Sequence, residues 1–432
     1  MRILIAIPLL LLSVFFFAPA LPEAPAGFDN KSNGLVDDAT HMADQVKFDE
    51  IEQISDGLGP LYNAQSCREC HQNPTSGGSS QVSELRVGHR GPGGKFQNPE
   101  IPIARGTEII KGRTLVNDRA ICPKAAFPST EIQERVPDSE NIRTFRVSLS
   151  VLGDGFVEAV PDQTFVDLAK DQCRKNHKIC GQVLYVPILE ALGQTGVGRF
   201  GWKDQHASLL SFSADAYLNE MGITNRLQPD EVSNLCNTAS EPNDTTGPDG
   251  LADIDRFARF IRATETPARD SQLAQTPKAK LGADLFVKVG CDICHVQTLT
   301  TAPAGTTVNG GTFTIPAALG DKQFHPYGDF LLHNVGTGDG FVVAMLEHYG
   351  KKMYQTNWRN LSIPDYNNTA NKIRTAPLWG VRLHSRLMHD GDSVTLFDAI
   401  LRHGGEAARV TKKFKKLNPA EKEALLEFLR SL

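Results

Sequence analysis

The chain has 432 residues, of which 45 are basic and 50 acidic, so its net charge is −5. This surplus of negative charge argues against a nucleic acid as partner. The 37 glycines and 25 prolines predict many loops and turns, as expected where helices wrap a cofactor. A chain of this length is expected to form two or three domains.

The first residues have the pattern of a secretory signal peptide. A basic start at Arg2 precedes the apolar residues 3–17 and the small-residue sequence at 18–20. This apolar stretch is shorter than the roughly 20 residues that span a bilayer, so we expect removal of residues 1–20 rather than a membrane anchor. A second possible cleavage site ends at Ala26. We therefore predict an exported, periplasmic protein with no membrane span in the mature chain.

Two Cys-x-x-Cys-His motifs are the strongest functional signal. Each offers two thiols that can bond the vinyl groups of haem and an adjacent histidine that can bind its iron. A zinc site is disfavoured because the motifs lie far apart and each has its own histidine. The sequence therefore predicts two covalently bound haem c groups. The residues are Cys67, Cys70 and His71 in the first motif, and Cys291, Cys294 and His295 in the second.

Four further cysteines are Cys122, Cys173, Cys180 and Cys236. An even number in an oxidising compartment predicts two disulfides. We prefer the pairing 173–180 with 122–236, because the first two are close in sequence. The other two pairings stay open, since sequence alone does not fix connectivity.

The chain pattern predicts a mainly α protein with two cytochrome c-like domains, at residues 27–265 and 266–432. A loop at 241–250 is a candidate hinge. Residues 72 to about 140 lack a helical period and predict a loop-rich, partly β insertion in the N-terminal domain. Helical periodicity is found at residues 163–176, 207–219, 252–263, 278–290 and 419–432.

Five short sequences are recognisable together, at residues 56–60, 198–203, 375–380, 388–391 and 403–407. They resemble the di-haem oxidoreductase family, whose members are often labelled thiol oxidoreductases. The resemblance extends from about residue 48 to the C terminus. That family is similar to bacterial di-haem cytochrome c peroxidases and to the di-haem enzyme that matures methylamine dehydrogenase. The resemblance implies an N-terminal haem that reacts with peroxide, a C-terminal haem that stores or passes electrons, and a tryptophan between them.

The resemblance also points to the sixth ligand of the second iron. In the peroxidases this ligand lies twelve residues after the glycine that corresponds to Gly391, which is the position of His403 here. Peroxidases have Met there and the maturation enzyme has Tyr. We predict ligation by His295 and His403, with Met388 as the rival ligand and a structural role for His403 as the alternative. Replacing Met by His should lower the reduction potential of this haem.

For the first haem, the resemblance assigns Trp202 as the electron relay and Glu220 as the distal acid. Glu220 would take a proton from bound peroxide and return it to the leaving oxygen. The alternative for Trp202 is ordinary core packing. Met221, His89 or His206 could instead close the first iron in a resting state.

These features predict an exported di-haem c-type cytochrome with peroxidase-like oxidoreductase activity. Electrons would come from a small redox protein or an organic donor and pass through the second haem. One alternative is a pure electron-transfer protein with two six-coordinate irons. The other is a protein-modifying or thiol-oxidising enzyme, although haem consumes both Cys-x-x-Cys pairs. Thr375 and Pro377 match a peroxidase stretch whose backbone helps to hold calcium, so calcium is a possible further cofactor.

Overall fold

The computed structural model describes residues 21–103, 108–111, 113–122, 132–176, 178–230, 245–342 and 366–432. Helices account for 35% and strands for 17%, so helix outweighs strand as predicted. The cytochrome c-like arrangement and the domain boundaries stay predictions. The signal peptide lies outside the described residues. Among the described helices, none is long and apolar enough to cross a membrane.

The described chain contains runs of helices separated by runs of short strands. The α-helices are α1 (Asp38–Asp49), α2 (Cys67–Cys70), α3 (Asp154–Glu158), α4 (Asp162–Asn176), α5 (Leu209–Met221), α6 (Asp253–Ala263), α7 (Ser271–Gln275), α8 (Pro277–Val289), α9 (Leu396–Arg402), α10 (Ala408–Lys416) and α11 (Pro419–Arg430). The strands are β1 (Leu61–Tyr62), β2 (Ser83–Arg90), β3 (Phe96–Gln97), β4 (Glu100–Ile103), β5 (Glu108–Lys111), β6 (Arg119–Ala120), β7 (Ile142–Val147), β8 (Tyr185–Pro187), β9 (Thr195–Val197), β10 (Leu299–Thr300), β11 (Thr307–Val308), β12 (Phe313–Thr314), β13 (Gln323–Phe324), β14 (Leu332–His333) and β15 (Ile373–Arg374).

The larger apolar core lies where α5 and α6 pack together. Ser208 caps α5 by accepting a hydrogen bond from the Ser211 amide at 3.0 Å, and Gly222 ends it in the left-handed conformation. The predicted stripe on α6 is buried, with Phe257 edge-to-face against Tyr217 of α5 at 5.1 Å. Burial of this stripe fixes α5 against the core, and α5 in turn forms one wall of a cavity.

The insertion is partly β, as the sequence predicts. Strand β2 is the centre of a three-stranded antiparallel sheet in the order β3-β2-β7, and β4 and β5 form a separate hairpin. Leu61, Val87, Ile101 and Ile110 are buried in a small core of their own. Because side chains alternate along a strand, the sheet can bury Val87 while its neighbours face the other way.

A second apolar core surrounds the helix that precedes the second motif. Helices α8 and α11 approach so closely that a Cβ atom on Gly282 would lie 2.0 Å from the Ala424 carbonyl oxygen. Phe286 packs edge-to-face on Phe428, with ring centres 5.3 Å apart. Helix α8 stops at Gly290, where φ is +99°, and this delivers the chain directly into the second motif.

The preferred disulfide pairing is partly observed. Cys173 and Cys180 are joined by a disulfide, with Cα atoms 4.5 Å apart. Cys236 lies outside the described residues, so its pairing with Cys122 stays a prediction.

A buried ion cluster joins the two predicted domains. Arg146 Nη2 lies 2.6 Å from Asp339 Oδ2, and Lys203 Nζ lies 3.1 Å from Asp339 Oδ1. Lys203 also donates to the carbonyls of Thr369 and Lys372, at 2.8 and 2.6 Å. Burial opposes the ionisation of Asp339, but the two cations outweigh it and lower its pKa to about 2. One carboxylate thus holds two cations from residues 27–265 against residues 266–432.

We expect Asp339→Asn to destabilise the protein by about 3–5 kcal/mol, because it leaves two buried cations without a counter-charge. Urea unfolding of the holoprotein at neutral pH measures this. Since the Asp339 pKa is lowered on folding, its contribution is present above pH 4 and is lost as the pH falls towards 2. The stability of Asp339→Asn should therefore not show this loss as the pH falls from 4 towards 2. Asp284→Asn, on the exposed side of α8, is the control and should change stability by less than about 0.5 kcal/mol; an equal effect in both variants would contradict the assignment.

Candidate haem sites

The first Cys-x-x-Cys-His motif forms the short helix α2 and the residue after it. Ser66 caps the helix by accepting a hydrogen bond from the Arg68 amide at 3.2 Å, and the His71 amide donates to the Cys67 carbonyl at 3.0 Å. This turn brings both thiols and the imidazole to one wall of a cavity of about 420 Å³. Cys67 and Cys70 are free thiols, so both are available for thioether bonds.

His71 is held in the form that binds a metal. Its Nδ1 lies 3.3 Å from the Gly78 carbonyl oxygen. A carbonyl can only accept, so Nδ1 carries the proton and Nε2 keeps a free lone pair. Burial lowers the pKa of His71 and keeps the ring neutral. Two free thiols and a neutral imidazole on one cavity wall fit a covalently attached haem.

Glu220, at the end of α5, lines the same cavity. Its backbone carbonyl accepts hydrogen bonds from the amides of Asn63 and Ala64, at 2.7 and 3.2 Å. Its carboxyl accepts from Asn63 Nδ2 at 3.3 Å. Burial and then the charge of Glu84 raise the pKa of Glu220 to about 8. The Glu220 carboxyl is therefore protonated at neutral pH.

Two charged side chains of β2 that the sequence motifs did not indicate, Glu84 and Arg86, also line this cavity. Arg86 Nε and Nη2 donate to the two Glu84 oxygens at 2.7 and 2.9 Å. Burial opposes ionisation, but the Arg86 charge outweighs it and lowers the pKa of Glu84. The alternation of Glu84 and Arg86 with Leu85 and Val87 is the signal that could have revealed them, since it is typical of a strand with one polar face.

Trp202 lines the same cavity on the side of residues 266–432. Its Nε1 donates to the Val147 carbonyl at 2.8 Å. Its ring lies edge-to-face against His389, with centres 6.1 Å apart. Trp202 thus connects the first cavity to the segment 388–391 of the second predicted domain.

The three rival ligands of the first iron differ in their placement. His89 points to the Glu140 carboxylate, 2.9 Å from its Nδ1. His206 and Met221 both line the cavity, and His206 Nε2 lies 3.2 Å from Asp215. The structure thus brings two of the three rivals to the cavity.

The second motif begins in a short 3-10 turn, Cys291–Ile293. The His295 amide donates to the Cys291 carbonyl at 3.0 Å, the same contact as in the first motif. His295 Nδ1 lies 3.0 Å from the Tyr327 carbonyl oxygen, so Nε2 again keeps the free lone pair. Burial and then the nearby His403 lower the pKa of His295 to about 4, which keeps the ring neutral. Cys291 and Cys294 are free thiols.

His403 lies across from His295 at the C-terminal end of α9. Its Nδ1 lies 2.7 Å from the Ala399 carbonyl oxygen, which leaves Nε2 as the free nitrogen. The ring centres of the two histidines are 6.4 Å apart. A metal–imidazole bond is about 2.0–2.1 Å, so two imidazoles on opposite sides of one iron have centres about 6.3 Å apart. The pair therefore fits the two axial positions of one haem.

Met388, the rival ligand, is partly buried against the second apolar core. Its backbone has a positive φ of 68°, which a non-glycine residue seldom adopts. This conformation belongs to the turn in which the Gly391 amide donates to the Met388 carbonyl at 3.3 Å.

A charged network that the sequence analysis also missed supports the second motif. His333 Nε2 lies 2.9 Å from Asp329, and Nδ1 lies 3.1 Å from Glu406. Cys294, Asp329 and His333 are the one group of three candidate metal ligands in the described residues, but the predicted thioether bond would use the Cys294 thiol.

The binding of calcium stays a prediction. The Thr375 amide donates to the Leu331 carbonyl at 3.0 Å, which fixes the backbone of the matching stretch.

The family model described as "Di-haem oxidoreductase, putative peroxidase" matches residues 118–432. The chain therefore belongs to this di-haem oxidoreductase family, which implies two haems. The matched region contains the second motif, Trp202, Glu220 and His403, whereas the first motif precedes it. No curated protein matches the chain.

Three solved structures resemble the chain, each at 14% identity. The di-haem peroxidase BthA from Burkholderia thailandensis has a TM-score of 0.42, and the match covers 96% of this chain and 95% of the BthA chain. A MauG-like protein associated with microbial copper homeostasis has a TM-score of 0.40, with coverage of 97% and 95%. Hydrazine synthase from Kuenenia stuttgartiensis has a TM-score of 0.39, with coverage of 99% and 100%.

We expect His403→Ala to change the spectrum of one haem from low-spin to high-spin, because it would remove one of two axial nitrogens. Optical and EPR spectra of the purified holoprotein measure this. Met388→Leu is the matched control and should leave the spectra unchanged. An unchanged spectrum in His403→Ala, or a lost low-spin signal in Met388→Leu, would reject His403 in favour of another ligand.

Proposed function

We propose that the protein is an exported di-haem c-type cytochrome that reduces peroxide at its first haem. The observation that carries this proposal is the placement of Glu220. A buried, protonated carboxyl shares one cavity with the thiols and imidazole of the first motif. A proton donor beside a reactive iron is what cleavage of the O–O bond requires.

The chain's own residues would divide the work at this site. When bound, the haem supplies the iron that takes up peroxide and the electrons that reduce it. Glu220 gives its proton to the leaving oxygen, and Asn63 orients the Glu220 carboxyl through its 3.3 Å hydrogen bond. Trp202, held in place by its hydrogen bond to Val147, would serve as the electron relay.

His295 and His403 would hold the second haem through their Nε2 atoms. With two protein ligands, this haem would supply electron transfer rather than substrate binding. Two histidines favour a low reduction potential compared with a His/Met pair. The electron donor would be a small redox protein or an organic reductant, met in the periplasm after removal of the signal peptide.

Spectroscopy of the whole holoprotein tests the proposed function. One high-spin and one low-spin haem, with rapid reaction with hydrogen peroxide, is the expected result. Two low-spin haems that do not react with peroxide in any redox state would reject the proposal and favour a pure electron carrier.

We expect Glu220→Gln to slow the reaction with hydrogen peroxide by about 10²- to 10⁴-fold, because a general acid is lost. Since Glu220 acts in its protonated form, the wild-type rate should fall as the pH rises through about 8. Stopped-flow kinetics across this pH range measure both effects. Glu140→Gln is the control and should leave the rate unchanged. Glu140 is also a buried glutamate, but its carboxylate contacts His89 and does not line the cavity. A rate that Glu220→Gln leaves unchanged would remove Glu220 from the mechanism.

A further inference from the structure

Glu220 alone does not account for the proton movements of peroxide reduction. Hydrogen peroxide gives up a proton from the oxygen that is held at the iron and gains one at the leaving oxygen. A carboxyl that is already protonated can supply the second proton but cannot accept the first. A base must therefore lie beside Glu220 in the same cavity.

Glu84 has the contacts that this base needs. It lines the same cavity as Glu220, and its negative charge is close enough to raise the pKa of Glu220. Two carboxyl groups this close cannot both ionise at low cost, so they hold one proton between them. Arg86 binds both Glu84 oxygens, at 2.7 and 2.9 Å, whereas Glu220 contacts the neutral Asn63 amide. Arg86 therefore keeps the negative charge on Glu84 and leaves the proton on Glu220.

We propose that Glu84 and Glu220 act as one acid–base pair at the first haem, with Glu84 as the base and Glu220 as the acid. This proposal rests on the proposed function. Glu84 would accept the proton of one peroxide oxygen, and Glu220 would donate its proton to the other, which leaves as water when the O–O bond breaks. The pair holds one proton before and after, and proton transfer from Glu84 to Glu220 resets it. Over the whole cycle, peroxide takes up two electrons from the haems and two protons, and gives two waters.

Two further charged groups near the pair come from β7 and from α5, and the Cys70 thiol of α2 also lies near both glutamates. Arg146 of β7 is close enough to favour the ionised form of Glu84, but Asp339 compensates its charge at 2.6 Å. Asp215 of α5 favours the charged form of Arg86. Both groups therefore favour the charged Glu84–Arg86 pair, and the proton stays on Glu220.

Infrared spectroscopy of the holoprotein tests the shared proton without peroxide. The band of the protonated Glu220 carboxyl is assigned by its loss in Glu220→Gln. In the wild type it should disappear as the pH rises through about 8. In Glu84→Gln it should disappear at lower pH, because the neighbouring negative charge is gone. A band that titrates at the same pH in both proteins would overturn the proposal.

The rate of reaction with hydrogen peroxide tests the base. Glu84→Gln should lower it by about 10²-fold or more, whereas Glu84→Asp, which keeps a carboxylate, should recover part of the loss. Glu140→Gln serves again as the control for a buried glutamate of the insertion. An unchanged rate in Glu84→Gln, despite a shifted infrared band, would reject Glu84 as the base. If the wild type itself does not react with peroxide, the proposed function fails, while the infrared shift still decides whether the pair shares a proton.

Discussion

One hydrogen bond recurs at all three candidate axial histidines, and the proposed haem chemistry depends on it. In His71, His295 and His403, Nδ1 lies 3.3, 3.0 and 2.7 Å from a backbone carbonyl oxygen. Each carbonyl fixes the tautomer and the orientation of its ring, so that Nε2 is presented with a free lone pair. Burial keeps these rings neutral by lowering their pKa values. A protonated ring could not bind iron, so the buried carbonyl contact is a condition for ligation.

The second constraint is the charge cluster between the two predicted domains. Lys203, which binds Asp339 of residues 266–432, directly follows Trp202 in sequence. The tryptophan ring in turn contacts His389. The ion cluster therefore holds the position of Trp202 relative to the second domain. Electron transfer between two haems depends on such fixed distances, and a buried cluster limits the motion that would change them.

Much of the helical structure could be predicted from sequence, because helical periodicity is a local property. The pattern at 278–290 corresponds to α8 (Pro277–Val289), and the pattern at 252–263 corresponds to α6 (Asp253–Ala263). The short strands could not be located individually, since a two-residue strand exists only through its pairing with a distant partner. Glu84 was missed for a related reason. Its strand β2 has a recognisable alternation of polar and apolar residues, but the nearness of Glu84 to Glu220 depends on how β2 lies beside α5.

The sequence by itself determined the two Cys-x-x-Cys-His motifs, in which two thiols and a histidine lie within one turn of chain, as covalent attachment of haem would require. Through its resemblance to a family it also pointed to His403 and Glu220. Only the tertiary structure decided that the rings of His403 and His295 lie 6.4 Å apart and that Glu220 and Glu84 line one cavity. The physical reason is that ligation and pKa depend on distance, burial and neighbouring charge. These are set by contacts between residues far apart in the chain, which no local pattern records.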